Sequence, residues 1–111
     1  MYVAMNRFRV AKGREAEFEA LWRGRPSHIA GEPGFVVFDL LKGPTRDDHT
    51  LYASHTVWQT KAAFEAWTKS EAFRAAHSGA VGSKGLVLAH PDFEGFDAVA
   101  DLHLAAATEA A

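Results

Sequence analysis

An α+β domain with the element order strand, helix, strand, strand, helix, strand is the fold class this sequence predicts. Three observations carry it. Residues 2–10 alternate, with Tyr2, Ala4, Asn6, Phe8 and Val10 on one face and Val3, Met5, Arg7 and Arg9 on the other, which is the period of two of a strand. Two later segments carry apolar residues three and four apart behind acidic or capping residues, the spacing of amphipathic helices. Between those helices, two β-branched and aromatic runs flank a polar turn, which reads as a hairpin with a longer loop. That order is the split βαβ arrangement of ferredoxin-like folds.

Taken in order, Lys12-Gly13 ends strand one. The first helix has Phe18, Leu21 and Trp22 on one stripe, extending to Ile29, and Glu15, Glu17 and Glu19 in its opening turns, where the helix dipole favours acid. Pro26 or the Gly31-Glu32-Pro33-Gly34 cluster stops it. Phe35 to Leu41 is nearly continuous apolar sequence interrupted only by Asp39, which predicts a central strand covered on both faces. Gly43 to Asp48 forms the turn, and Thr50 to Trp58 is the returning strand.

Thr60 caps the second helix, on which Ala63, Phe64 and Trp67 share a face. Ser70-Glu71 reads as a fresh N-cap with an acidic first turn, after which Phe73, Ala76 and His77 fall at i, i+3 and i+4. The break matters, because Trp67 and His77 on one straight helix would stand about 15 Å apart, whereas a bend lets both face one ligand. Ser78 to Gly95 is Gly-rich and irregular with a short extended piece at Leu86 to Leu88, and Phe96 to Leu104 is the last strand candidate. Residues 1–104 make one domain and 105–111 an Ala-rich tail that frays.

The chain has 111 residues, 48% hydrophobic and 23% charged, a formal charge of −2 and no cysteine. No apolar run approaches the roughly 20 residues of a membrane helix, and no basic n-region or cleavage site opens the chain, so a cytoplasmic protein is expected. Without a Lys/Arg stripe, nucleic acid is not expected as a partner. Zero cysteines remove disulfides, zinc-thiolate sites, iron–sulfur clusters and thiolate haem ligation, leaving His, carboxylate or Met for any metal. A sheet covered by helices on one face, in a domain this small, predicts a homodimer that buries the other face. A monomer with a solvated face fits Arg7 and Arg9 but not the run from Phe35 to Leu41.

Asn6, Trp67 and His77 are each a poor structural choice for the place they occupy: an amide in an apolar strand, a tryptophan on a helix face and an imidazole at that region's end. Taken alone, each has an ordinary reading as a satisfied buried amide, a core aromatic and a dipole-compatible surface histidine. Together they offer a metal-ligating nitrogen, a hydrogen-bonding amide and a flat wall, the inventory of a haem site. His28, His49, His55, His90 and His103 show no paired metal spacing, and Asp47 and Asp48 read as turn residues.

Residues 63–77, Ala-Phe-Glu-Ala-Trp-Thr-Lys-Ser-Glu-Ala-Phe-Arg-Ala-Ala-His, preceded by Thr56-Val57-Trp58 and by the opening Met5-Asn6-Arg7-Phe8, closely resemble the IsdG-type haem-degrading monooxygenases. These belong to the antibiotic-biosynthesis-monooxygenase superfamily of dimeric ferredoxin-like α+β barrels. Lys42-Gly43-Pro44 and His90 to Phe96 look most like the HmuQ-type branch. The resemblance implies that His77 is the axial ligand of haem iron, Asn6 the distal amide beside the oxygen position and Trp67 the residue pressed against the porphyrin. A neutral imidazole suits iron, an amide donates without titrating, and a rigid indole distorts the macrocycle.

The resemblance further implies an oxidoreductase for which haem is both substrate and cofactor, with dioxygen as oxidant, ring opening and release of iron. Nothing resembles a flavin or nicotinamide site, so the external electron donor is a separate reductase or a small reductant. Phe8, Phe64, Phe73 and Val10 are candidate porphyrin walls, and Arg23 or Arg25 is a candidate propionate partner. Two alternatives stand beside this reading. One is a cofactor-free monooxygenase of the same superfamily acting on an aromatic polyketide; the other is a non-catalytic haem-binding or trafficking protein.

Overall fold

The computed structural model describes residues 1–24, 29–71, 73–74 and 85–104. Strand β1 (Tyr2–Ala11) leads into helix α1 (Glu15–Gly24) and a 3-10 turn at Ile29–Gly31. Strands β2 (Phe35–Thr45) and β3 (His49–Trp58) follow, then helix α2 (Lys61–Thr68), strand β4 (Asp92–Asp97) and a 3-10 turn at Ala100–Leu102. The strands form one antiparallel sheet in the order β2-β3-β1-β4. Both helices lie on the same side of it, so the α+β ferredoxin-like class holds.

The alternation of β1 is realised as read. Tyr2, Ala4 and Val10 are buried, and their row pairs with Trp58, Thr56 and Thr50 of β3. Helix α2 starts where Thr60 accepts a hydrogen bond from the Ala63 backbone N–H at 3.0 Å. The break at Ser70 is equally local: its hydroxyl donates to the Trp67 carbonyl at 2.7 Å and accepts from the Phe73 N–H at 3.1 Å. One side chain therefore ends a helix and caps the next turn, bringing the Phe73 ring edge-on to Trp67 at 5.5 Å. The expected extended piece also occurs, as Val87 bridges Val10 while Ala11 and Leu88 exchange backbone hydrogen bonds with Leu86 and Arg9 at 2.8 Å.

Two strand assignments need correction. Phe35 to Leu41 lies in an edge strand, paired only to β3, with Val36, Val37, Phe38 and Leu41 each more than a third exposed. The run is apolar throughout because Phe35, Phe38 and Leu40 share the helix-facing side while Val37 and Leu41 lie on the open one. The last strand is Asp92–Asp97 and not Phe96 to Leu104. Its mixed sequence pairs with β1 from Tyr2 to Arg7, and Val99, Leu102 and Leu104 beyond it are 61%, 71% and 86% exposed. Gly95 fixes that register, because a Cβ there would collide with the Tyr2 hydroxyl across the pair. Helix α1 is described to Gly24, next to the Pro26 stop, and Ile29 lies in the 3-10 turn, packed against the cluster beneath α2.

The core is divided. Tyr2, Ala4, Trp58 and Trp67, with Ile29, Phe35, Phe64 and Phe73, form a cluster under α2. Val10, Phe18 and Tyr52, with Phe8, Trp22 and Leu40, form another under α1. Burying each large side chain contributes roughly 1.5–3 kcal/mol, so each helix is anchored by its own cluster. The opposite face carries Val3, Met5, Val37, Leu41, Val57 and Phe96, bordered by an Arg7–Glu94 ion pair and by His55 beside Asp39 at 3.7 Å. No helix among the described residues is long and apolar enough to cross a membrane.

Candidate functional site

Asn6 occupies the seam between the two clusters. It follows Ala4 of one and precedes Phe8 of the other on the helix-facing row of β1, opposite Ser54 on β3 and Phe93 on β4. It is half-buried, and among the described residues no hydrogen bond engages its amide. The amide is not sealed from water, so it is free to bond a ligand that enters between the helices.

Aromatic rings border the seam. On the α2 side Phe64 stacks on Phe93 at 5.7 Å with an interplanar angle of 10° and meets Tyr2 at 5.3 Å. Trp67 is 5% exposed, stacked on Trp58 at 6.3 Å and edge-on to Phe73. Its indole is therefore a core element in this conformation. On the α1 side Phe8 contacts Phe18 at 5.4 Å and Trp22 at 5.8 Å, and Trp22 reaches across to stack on Phe38 at 5.8 Å. The fold thus brings Asn6, Phe8, Phe64, Trp67 and Phe73 to one side of the sheet. His77 lies outside the described residues, as do Arg25 and His28.

Other histidines stand elsewhere. His49 and His55 occupy positions of the sheet's opposite face, His49 paired with Asp48 at 2.7 Å. His90 is exposed beside the Pro91 carbonyl at 2.9 Å, and His103 is exposed near the end of the described chain. Among the described residues no three His, Asp or Glu side chains gather as a metal site.

A cavity of about 370 Å³ lies on the β2 side of α1, lined by Glu19, Trp22, Arg23, Phe38, Leu40, Lys42 and Tyr52. It does not include Asn6 or Trp67. Its polar groups are already paired: Glu19 accepts from the Tyr52 hydroxyl at 2.5 Å and from Arg23 at 3.2 Å, with Lys42 at 4.0 Å. The Tyr52 hydrogen bond, followed by Lys42 and Arg23, holds the Glu19 carboxyl below its ordinary range. Burial, reinforced by Glu19, pushes the Tyr52 phenol well above its own. Together with the Thr50 hydroxyl donating to Glu15 at 2.7 Å, this pair fastens α1 to β3. Arg23, assigned from sequence as a propionate candidate, is thereby engaged with its own helix.

Ser54 is a residue of this region that sequence reasoning passed over, and Trp22 was read there only as part of a helix stripe. A signal for Ser54 existed, since pairing β1 with β3 in register sets it beside Asn6, but that register is not readable from either strand alone.

Comparison with known proteins gives the lineage. Residues 1–79 match the family model described as antibiotic biosynthesis monooxygenase. The chain belongs to this family. A heme-degrading monooxygenase of Shouchella clausii is 45% identical over 51 residues, 46% of this chain and 48% of that protein, so the match spans about half of its length. A staphylobilin-producing heme oxygenase of Staphylococcus haemolyticus is 40% identical over 79 residues, covering 69% of this chain and 73% of that one. Among solved structures, the heme-degrader MhuD of Mycobacterium tuberculosis, with two hemes bound in its active site, superposes with a TM-score of 0.69. It is 27% identical, and the match covers 95% of this chain and 100% of that one.

Proposed function

We propose that this family member is a haem-degrading monooxygenase that seats haem in the seam between α1 and α2. The observation that carries the reading is Asn6: a half-buried amide with no partner among the described residues, bordered by aromatic rings. That surface fits a large planar ligand with a polar centre. The names of the relatives point to the same chemistry.

In this reading His77 would hold the iron, and Asn6 would present its amide N–H to the oxygen that haem activates, orienting it without supplying a titrating proton. Phe8, Phe64 and Phe73 would exclude water from the ring edges, and Trp67 would give the porphyrin a rigid wall. Bound haem supplies the oxygen-activating chemistry and is itself the molecule opened. Dioxygen and electrons come from outside, the latter from a separate reductase or a small reductant. The test is a haem titration followed by ascorbate in air. A Soret band that forms stoichiometrically and then decays with release of chelatable iron is expected. A band that persists identifies a carrier, and no band identifies a cofactor-free oxygenase.

Trp67→Phe separates wall from core. Because Trp67 is packed on Trp58, a stability loss of about 1–3 kcal/mol is expected in either role. Only contact with the porphyrin predicts slower ring opening per bound haem and NMR or Raman signals moved toward planar haem. Undiminished turnover at full occupancy would leave Trp67 as core alone.

A homodimer belongs to the same proposal. Val3, Met5, Val37, Leu41, Val57 and Phe96 on the helix-free face, and the exposed Val99, Leu102 and Leu104, form the kind of apolar surface that a second copy covers. Sedimentation equilibrium at micromolar concentration should give twice the chain mass, and a monomeric mass would refute the pairing.

A further inference from the structure

The helix-facing row of β3 reads Thr50, Tyr52, Ser54, Thr56, Trp58, so every position carries a polar atom beneath the helices. Four are satisfied within the chain. Thr50 donates to Glu15 at 2.7 Å, Tyr52 to Glu19 at 2.5 Å, Thr56 to the Ala4 carbonyl at 3.4 Å and the Trp58 indole to Thr56 at 3.1 Å. Ser54 is the exception: it is 8% exposed, and among the described residues its hydroxyl makes no hydrogen bond. It sits directly opposite Asn6, whose side chain likewise makes no hydrogen bond among the described residues. Facing residues of an antiparallel pair hold their Cβ atoms about 4.5–5.5 Å apart, close enough for an amide and a hydroxyl to address one small ligand atom group together.

We infer that Ser54 is a positioning residue of the cleft, forming with Asn6 a two-point donor that fixes the tilt of a small ligand on the haem iron and so selects which edge of the macrocycle is attacked. The inference rests on the haem reading above. Its physical basis is the geometry of the pair: the Ser54 hydroxyl makes no hydrogen bond among the described residues, yet its oxygen is not sealed from solvent, so it stands free beside Asn6 to bond a ligand. Replacing it breaks no bond of the haem-free fold, whereas a ligand beside it loses one hydrogen bond.

Ser54→Ala is therefore expected to leave the melting temperature of the haem-free protein unchanged or higher, whereas Thr50→Ala, which removes a satisfied bond, lowers it. Loaded with ferric haem and titrated with cyanide, a redox-inert diatomic probe, Ser54→Ala should bind about 3–10-fold more weakly, the loss expected for one hydrogen bond. The C–O stretch of its carbon monoxide complex should move to the frequency of a less polar pocket. Ser54→Thr, which retains the hydroxyl, should restore both, and the ratio of ring-cleavage isomers should shift in Ser54→Ala alone. A haem-free Ser54→Ala protein destabilised as much as Thr50→Ala would reveal a structural bond and overturn the inference. Unchanged cyanide affinity and C–O stretch at full haem occupancy would overturn it as well. Failure of the unsubstituted protein to form a Soret band would instead remove the haem reading beneath it.

Discussion

His77→Ala is expected to abolish ring opening and to weaken haem binding by more than the roughly 10–100-fold that loss of an outer partner costs a metal site. The expectation joins the sequence resemblance to what the fold does with the other histidines among the described residues. His49 and His55 lie on the face of the sheet away from Asn6, His49 held by Asp48; His90 is exposed against a backbone carbonyl, and His103 lies beyond β4. With no cysteine in the chain, no thiolate can replace a lost imidazole. Residual haem in the variant would sit in the aromatic seam without a strong axial field, so its absorption and electron paramagnetic resonance spectra should differ from those of the unsubstituted protein. Added imidazole should restore part of the original spectrum by entering the vacated position. Unchanged ligand-field spectra and activity would show that another group binds the iron.

What could be read from sequence was what local physics determines. The alternation of β1, the Thr60 cap and the Ser70 break each rest on residues within a few positions of one another, and each is realised with a specific hydrogen bond or burial pattern. The place of β2 was not legible, because an apolar run reads alike whether both faces are covered within one chain or one face is left for a second chain. The last strand was misplaced because hydrophobicity drew the reading toward Val99, Leu102 and Leu104, while the sheet accepted Asp92–Asp97. Its register depends on Tyr2 fitting over Gly95 and on Phe93 stacking with Phe64, neither of which is sequence-local. Asn6 stood out because an amide contradicts its apolar strand. Ser54 did not, because serine among threonines on a strand is unremarkable until pairing sets it opposite Asn6, as the member of its row with no hydrogen bond among the described residues.

Asn6→Ala is expected to separate binding from chemistry. Phe8, Phe64 and Phe73 surround the seam whether or not residue 6 carries an amide, and iron ligation is assigned to His77, so haem affinity should change by less than about threefold, under 1 kcal/mol. Turnover should fall by about 100-fold, the loss typical when one preorganised donor to a developing charge is removed. The apo protein supports the same division. Since the Asn6 side chain makes no hydrogen bond among the described residues, its removal breaks none of the described bonds, and thermal stability should hold. Single-turnover decay of the Soret band under ascorbate, at equal occupancy of both proteins, measures the chemical step apart from docking. Asn6→Asp discriminates further: a carboxylate matches the shape but loses the N–H donor at neutral pH, so it should behave like alanine in turnover while retaining the side-chain volume. Loss of haem binding with normal turnover of the remaining complex would reverse the assignment, making Asn6 a docking residue and leaving Ser54 as the group to examine at the oxygen position.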